Sequence, residues 1–317
     1  MNEHLNKKLH ELFSLQYAQG IVNKPQPVLG GKLYSDWPIG LELEFEGVTT
    51  FDREKLAGWS WVSDGSLREE GLEFLFDGPA GGKGAYNRIK ALYSEYEKHK
   101  FKVSRRTSTH VHLDARHLSI SEIGKILTTY SLCETILFGV VGRDREENVY
   151  CVPYYRADRS EPENMYVLFK RLYQLKDDAP VEKIGSLIYN SLSGSRKYSA
   201  LNLGRLTSLG SLEFRQAPIF KTRTELRQWV NLLLSLSQYA YQRNTAEQII
   251  NEYMELGALD FYRMVFGKYY THLPIRRINN DYGMPMQEYN DNFDLVSVAE
   301  RCGGVVYEQL NKGWVEE

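Results

Sequence analysis

The stretch IGLELEFEG, residues 39–47, alternates carboxylate and apolar side chains with the period of a β-strand. One face of this strand would carry Glu42, Glu44 and Glu46. The other face would carry Leu41, Leu43 and Phe45. Glutamate is a poor strand former, and like charges on one face repel each other. A strand of this kind therefore requires a partner that compensates its carboxylates.

Three further segments are predicted to form amphipathic strands with similar polar faces. Each places acidic, imidazole or guanidinium groups opposite apolar side chains: Glu73 in 72–76; His110, His112 and Asp114 in 110–114; Glu213 and Arg215 in 212–215. If these strands belong to one sheet, their polar faces form a single surface of carboxylates with two imidazoles and an arginine.

Clustered carboxylates of this kind require cations. At about 4 Å, two carboxylates repel by about 4 kcal/mol at an effective dielectric constant of about 20. Oxygen-rich sites with an occasional imidazole suit Mg²⁺ or Mn²⁺, and a neighbouring arginine suits a phosphoryl group or a developing anion. Each segment alone is also compatible with a solvated, salt-bridged strand. Together the four predict a shared metal-binding face, with the choice between His110 and His112 left open.

The order of the elements predicts an α+β fold with a mainly antiparallel sheet flanked by helices, because strands and helices alternate without a regular βαβ period. The pattern predicts a helix over 4–19, a hairpin over 59–76, and strands over 107–114, 198–206 and 210–218. Capping-box pairs at Ser119–Glu122 and Thr222–Glu225 predict the starts of two long helices. We expect one domain over 1–317, with a helical C-terminal part over 222–317.

Composition excludes several classes of protein. The formal net charge of −2 gives no reason to expect nucleic acid as a partner. No uninterrupted apolar run reaches the roughly 20 residues of a membrane span, and the N-terminus lacks a signal-peptide pattern. The three cysteines form no motif, which favours a reducing compartment and argues against a cysteine zinc site. We therefore expect a cytoplasmic protein with no membrane partner.

The motif-bearing segments resemble, in their order, those of the amidoligase family, carboxylate–amine ligases related to glutamine synthetase and glutamate–cysteine ligase. These segments are GLELEFEG, SDGSLREEGLEFLFDGPAGGKGAYNRIKAL, THVHL, GRDREENVYCVPY and KYSALNLGRLTSLGSLEFRQ. The resemblance covers residues 38–240 and implies a glutamine synthetase-like catalytic sheet.

Site residues follow from the resemblance, motif by motif. The implied metal ligands are Glu42, Glu44, Glu73, His110 (with His112 as the fallback) and Glu213. The implied catalytic arginines are Arg215 and Arg205. The implied ATP- or substrate-binding residues are Arg143, Tyr198, Asn202 and Arg196. Glu46 is expected at the solvated end of its strand, away from the metals.

The chemistry implied by the resemblance is ATP-dependent formation of an amide bond. ATP, with Mg²⁺ or Mn²⁺, phosphorylates a carboxylate to an acyl phosphate, which an amine then attacks. The acid and amine could be small molecules or peptides, and a glutamine amidotransferase partner is possible. Two alternatives stay open on the residues alone: a metal-dependent phosphoesterase or nuclease, and a non-catalytic binding protein with a salt-bridged acidic sheet. A P-loop is not expected, since GGKGAYN (81–87) lacks its spacing.

Overall fold

A six-stranded antiparallel sheet lies at the centre of the described part of the chain. The computed structural model describes residues 3–15, 31–153, 168, 171–172, 175, 178–192 and 197–274. The strands are β1 (Ile39–Phe45), β2 (Trp59–Ser63), β3 (Leu72–Phe76), β4 (Ser108–Asp114), β5 (Leu201–Asn202) and β6 (Ser211–Pro218). Their order across the sheet is β2-β3-β1-β4-β6-β5. The predicted α+β class with an antiparallel sheet is confirmed.

One face of this sheet is apolar and forms the core. Leu43 of β1 pairs with Phe74 of β3, Leu41 of β1 pairs with Val111 of β4, and Val111 in turn pairs with Phe214 of β6. All five side chains are buried. Because side chains alternate along a strand, the residues between them face the other side of the sheet, and these are the acidic and imidazole residues.

Helices cover the apolar face. The helices of the described residues are α1 (Leu9–Leu12), α2 (Gly82–His99), α3 (Ile120–Val141), α4 (Val181–Leu192), α5 (Arg223–Gln242) and α6 (Ala246–Phe266). Helix α3 packs against β6, where the Tyr130 ring lies 5.6 Å from the Phe214 ring, and it also contacts α5 and α6.

Two predicted capping boxes are confirmed. At the start of α3, the Ser119 hydroxyl accepts from the Glu122 N–H at 3.2 Å, and the Glu122 carboxylate accepts from the Ser119 N–H at 2.7 Å. Thr222 and Glu225 make the same reciprocal pair at the start of α5, at 3.2 and 2.9 Å. Each box satisfies N–H groups that have no partner within the helix.

The predicted helix over 4–19 is wrong for the residues that the structure describes. This segment forms a 3₁₀ turn at Glu3–Asn6 and only four helical residues in α1. The backbone N–H groups of Leu9 and His10 instead donate to the carbonyls of Leu118 and Arg116, both at 3.0 Å. Tertiary pairing has replaced the local pattern of hydrogen bonds.

The predicted strand over 198–206 is also too long. Only the two residues of β5 pair as a strand, and a 3₁₀ turn follows at Gly204–Leu206. Residues 275–317 of the predicted helical C-terminal part lie outside the described residues.

Among the described residues, α3 is the helix long and apolar enough to cross a membrane. Most of it is buried within the fold, which is the usual situation of a core helix in a globular protein. Its length and composition are therefore explained by the core.

Candidate active site

The register of the sheet brings the predicted site residues together on its polar face. Glu44 of β1 lies opposite Glu73 of β3, and Glu42 of β1 lies opposite His110 of β4. On the other side of β4, His112 lies opposite Glu213 of β6. Four neighbouring strands thus contribute to one cluster, which we call the acidic floor (Glu42, Glu44, Glu73, His110, His112 and Glu213).

A β-bulge positions the arginine of this cluster. Between the pairs Val111–Phe214 and Thr109–Ala217, one residue of β4, His110, faces two residues of β6, Arg215 and Gln216. Bulges redirect side chains and are frequent beside active sites. Here Arg215 Nη1 donates to Glu213 Oε1 and lies 3.4 Å from His110 Nδ1, while the Gln216 side chain accepts a hydrogen bond from Tyr130 of α3.

His110 connects the two carboxylates of β1. Its Nδ1 lies 2.9 Å from Glu42 Oε2, and its Nε2 lies 2.7 Å from the hydroxyl oxygen of Ser108. That hydroxyl donates to Glu44 Oε2 at 2.6 Å. Ser108, which the sequence analysis did not single out, therefore fixes both Glu44 and the His110 ring.

His112 contacts the other carboxylate oxygen of Glu42. Its Nε2 lies 3.0 Å from Glu42 Oε1, and its Nδ1 lies 3.0 Å from the Ser211 hydroxyl. Glu42 thus lies between the two imidazoles, and both histidines belong to the cluster.

Two groups in the acidic floor have the donors for a cation. The possible ligand atoms of Glu42, Glu73 and His110 all lie within 4.8 Å of one another, and so do those of Glu42, His112 and Glu213. Glu42 is common to both groups. Glu44 belongs to neither group among the described residues, although its Oε1 lies 4.0 Å from His110 Nε2.

The close packing of charged groups in the acidic floor shifts the pKa values of several of its members. Burial and the neighbouring carboxylates of Glu42 and Glu44 raise the pKa of Glu73 to about 8. Burial would also raise the pKa of Glu42, but the imidazoles of His112 and His110 hold it well below its usual range. For His112, the opposing effect of burial is overcome by Glu42, which raises its pKa. A divalent cation among these oxygen and nitrogen donors would relieve the repulsion, so the donor set fits Mg²⁺ or Mn²⁺.

Glu213 is held by groups of opposite charge and by an amide. Asn202 of β5 donates to Glu213 Oε2 at 2.6 Å, Arg205 Nε lies 3.5 Å from the same oxygen, and Arg215 binds Oε1. Burial opposes ionisation, but His112, His110 and Arg215 lower the pKa of Glu213. The predicted residues Asn202, Arg205 and Arg215 therefore all contact this one carboxylate.

Above the acidic floor lies a cavity of about 200 Å³, which we call the reaction chamber. Glu42, Glu44, Glu73 and His110 line it from the sheet. Its remaining lining comes mostly from loops and is rich in cations: Arg106, Arg145, Lys197, Arg205 and Arg215, with Asp64, Ser66, Ser108, Asn148, Tyr150 and Tyr198. The lining of the chamber therefore combines cation-binding and anion-binding groups.

Arg145 is a lining residue that the sequence analysis missed. Its side chain is 4% exposed, and its guanidinium donates to the backbone carbonyls of Gln216 and Ala217, at 3.0 and 3.4 Å. Within the described part of the chain, no carboxylate lies within ion-pair distance of it. A buried charge without a counter-ion is costly, so Arg145 is suited to bind an anion in the chamber.

The motif GRDREEN predicted Arg143, two residues earlier, as a binding residue. Both residues lie in a 3₁₀ turn, Arg143–Arg145, whose orientation the sequence does not reveal. The side chain of Arg143 and the whole of Arg196 lie outside the described residues. Tyr198 is described and lines the chamber.

Glu46 and Asp114 have structural roles in the described residues. We expected Glu46 to be solvated, but it is only 6% exposed. Its Oε1 accepts a hydrogen bond from the Arg68 N–H at 3.0 Å, and this bond holds the β2–β3 loop. Asp114 makes a two-pronged pair with Arg116, at 2.8 and 2.7 Å. Neither carboxylate belongs to the two candidate cation groups.

A second cavity, of about 230 Å³, adjoins the chamber, and Glu42 lines both. Its lining is less charged and includes Leu75, Phe76, Pro79 and Leu209. Gly210 borders it with φ +68°, and a Cβ there would lie 2.4 Å from Arg116 Cγ, so the site requires glycine. Arg116 also lines this cavity, and its Nη1 is buried without a hydrogen-bond partner among the described residues.

Comparison with known proteins agrees with the motif analysis. Residues 80–237 match the model of a family described as "Putative amidoligase enzyme". A search of curated proteins finds no match. The matched region contains β4, β5 and β6, with His110, Glu213 and Arg215, and begins after β3; Glu42, Glu44 and Glu73 join these residues through the pairing of the sheet. The family description supports an enzyme of the ligase class. The chain belongs to the amidoligase family.

Proposed function

We propose that this protein is an ATP-dependent carboxylate–amine ligase that forms an amide bond through an acyl phosphate. The observation that carries the proposal is the reaction chamber itself, a cavity of about 200 Å³ whose lining combines four residues of the acidic floor (Glu42, Glu44, Glu73 and His110) with Arg145, Arg205 and Arg215. Phosphoryl transfer to a carboxylate brings together a metal-bound polyphosphate and a second anion. The chamber offers groups for both.

Mg²⁺ or Mn²⁺ would be held by the two donor groups that share Glu42, with Glu73 and His110 in one and His112 and Glu213 in the other. When bound, these ions supply charge neutralisation for the triphosphate and the leaving phosphate. Ser108 and Asn202 would orient the donors, since the Ser108 hydroxyl lies 2.7 Å from His110 Nε2 and Asn202 donates to Glu213.

The chain's own arginines act on the anions of the reaction. An oxygen of the substrate carboxylate attacks the γ-phosphorus of ATP, and ADP leaves. Arg215, which Glu213 and the bulge hold in place, stabilises the transferring phosphoryl group. Arg205, in the 3₁₀ turn that follows β5, also stabilises this group. Arg145 orients the carboxylate. The amine then attacks the acyl carbon, phosphate leaves with the carboxylate oxygen, and the amine proton passes to solvent.

The second cavity suits the nucleoside of ATP. Its lining is mostly apolar, which suits contact with the faces of a base. Since Glu42 lines both cavities, a triphosphate that starts in the second cavity would cross the acidic floor to reach the chamber.

The proposal extends to the chain as a whole. We expect one glutamine synthetase-like ligase domain over 1–317 that acts in the cytoplasm. Its substrates are a small or peptidic carboxylate and an amine, and a glutamine amidotransferase is a possible partner.

The test is an assay of ADP release from ATP and Mg²⁺ over pooled carboxylic acids and pooled amines, with products identified by mass spectrometry. The proposal requires ADP release that depends on both an acid and an amine, together with a product of their combined mass less water. Phosphodiester cleavage without ATP would favour the hydrolase alternative. A protein that binds neither nucleotide nor divalent cation would favour the salt-bridged binding protein.

A further inference from the structure

We propose that the carboxylate substrate is the carboxyl terminus of a peptide, whose last residues lie on Tyr150 and Tyr198 at the mouth of the reaction chamber. This inference rests on the proposed ligase function and specifies its acid. Three features of the described residues carry it: the volume of the chamber, an exposed aromatic pair at its edge, and the charge of its lining.

The chamber is too small for a large substrate. Its volume of about 200 Å³ lies below the roughly 300–1,000 Å³ of pockets that enclose a drug-sized ligand. A transferring phosphoryl group, a carboxylate and the cations of the acidic floor would fill it. Whatever else the acid carries must therefore extend outward past the lining loops.

An aromatic pair lies where that extension would pass. Tyr150 and Tyr198 both line the chamber, yet they are 41% and 42% exposed. Their rings meet edge to face with centroids 5.4 Å apart. Tyrosine rings in this position offer a large contact area at a low cost in conformational entropy. We call these two residues the tyrosine rim.

The backbone holds the tyrosine rim in place. The Val152 N–H donates to the Tyr198 carbonyl at 2.8 Å, and the Tyr150 N–H donates to Asn148 Oδ1 at 2.9 Å. Asn148 in turn donates to the Arg105 carbonyl at 3.2 Å. The rim therefore joins three segments of chain and is pre-organised for contact with a ligand.

The charge of the lining selects the end of the peptide that enters. Arg145 is buried without a carboxylate partner among the described residues, and Lys197 lies beside the rim with Nζ 5.7 Å from the Tyr198 ring centroid. Arg106 lines the same chamber. These cations attract a carboxyl terminus. A free amino acid would bring an ammonium group next to its carboxylate, which Arg145 would repel; in a peptide that charge lies several residues away.

The experiment uses hydroxylamine as a general nucleophile, so that only the acid needs to be identified. Wild-type protein is incubated with ATP, Mg²⁺, hydroxylamine and a mixed-sequence tetrapeptide pool with free carboxyl termini. The balanced reaction is peptide carboxylate plus ATP plus hydroxylamine, giving peptide hydroxamate, ADP and phosphate. Parallel reactions contain the same pool with amidated carboxyl termini, or the corresponding free amino acids.

The proposal expects hydroxamate from the free-carboxyl pool with kcat/KM at least about tenfold above that for the free amino acids, and none from the amidated pool. In the double variant Tyr150→Ala/Tyr198→Ala, this preference should fall by about tenfold, mainly through KM, since aromatic contacts of this size are worth about one decade in affinity. Tyr150→Phe/Tyr198→Phe should retain it, because the ring faces make the contact. Tyr189→Ala is the matched control, since Tyr189 is 54% exposed on α4 and does not line the chamber.

Equal or better use of free amino acids would overturn the proposal, as would an unchanged preference in the double alanine variant. If the enzyme joins the amino groups of the amidated peptides to another acid, the peptide is the amine substrate and not the carboxylate substrate. That result would also overturn the proposal. If no acid of any class supports ADP release, the proposed function itself fails, and this inference fails with it.

Discussion

Glu42 and His110 face each other across β1 and β4, with Glu42 Oε2 2.9 Å from His110 Nδ1. Glu42 also lies 3.0 Å from His112, takes part in both candidate cation groups and lines both cavities. One carboxylate therefore connects the features on which the proposed chemistry depends.

Glu42→Gln should reduce turnover by at least about 100-fold and weaken Mn²⁺ binding, because the amide cannot supply the charge that both donor groups share. The fold should persist, since Glu42 lies on the polar face of the sheet. The measurements are ADP release, calorimetric titration with Mn²⁺ and thermal unfolding. Glu54→Gln, at an exposed carboxylate of a 3₁₀ turn, is the matched control. Near-normal Mn²⁺ affinity in Glu42→Gln would show that Glu42 is not a ligand of the cation.

Arg215→Ala should lower kcat by about 100- to 1,000-fold, the usual cost of removing a donor to developing charge. Arg215→Lys should recover little, because one ammonium cannot both bind Glu213 and reach the phosphoryl group. Steady-state kinetics check this. Arg263→Ala serves as control, since Arg263 is exposed and pairs only with the nearby Asp260 on α6 among the ion pairs of the described residues. Activity in Arg215→Ala close to that of the control would show that Arg215 has no role in the reaction.

Ser108→Ala tests whether the hydrogen-bonded support of the floor matters. The Ser108 hydroxyl binds Glu44 Oε2 at 2.6 Å and lies 2.7 Å from His110 Nε2. Loss of such a supporting contact typically weakens metal binding by about 10- to 100-fold. We expect the Mg²⁺ concentration for half-maximal activity to rise accordingly, with most activity restored at saturating Mg²⁺. An unchanged Mg²⁺ dependence would show that the ligands orient themselves without Ser108.

His117 should make stability depend on pH. It is buried beside Trp37, with ring centroids 5.4 Å apart, and burial lowers its pKa to about 4 from an ordinary 6.5. Between these values, the unfolded chain binds a proton that the folded chain does not. The free energy of unfolding should therefore fall by about 2 kcal/mol from this residue alone as the pH drops from 7.5 to 5.

Urea unfolding at the two pH values measures this effect. His117→Leu should lose that part of the pH dependence, whatever its stability at pH 7.5. The same loss of stability on acidification in the variant and the wild type would assign the effect to other groups.

Local patterns predicted much of the fold. The alternation in 39–47 identified the polar face of β1, and the capping pairs at Ser119 and Thr222 identified the starts of α3 and α5. These features depend on the chemistry of neighbouring residues, which a sequence displays directly.

The features of the fold and site that the sequence did not predict depend on tertiary contacts. The bulge opposite His110 requires the register of β4 and β6, and the turn that places Arg145 in the lining of the chamber gives no periodic signal. In a helix over 4–19 the Leu9 N–H would bond within the helix, but it donates instead to the carbonyl of Leu118, more than 100 residues away. Non-local pairing of this kind overrides helix propensity.

The most direct test of the ligase mechanism follows oxygen from the carboxylate. An acid substrate labelled with ¹⁸O in its carboxylate is converted with ATP, Mg²⁺ and amine, and the released phosphate is examined by mass spectrometry. The acyl-phosphate route predicts one ¹⁸O in phosphate for each amide formed. Amide formation with unlabelled phosphate, or with the label in AMP, would contradict it.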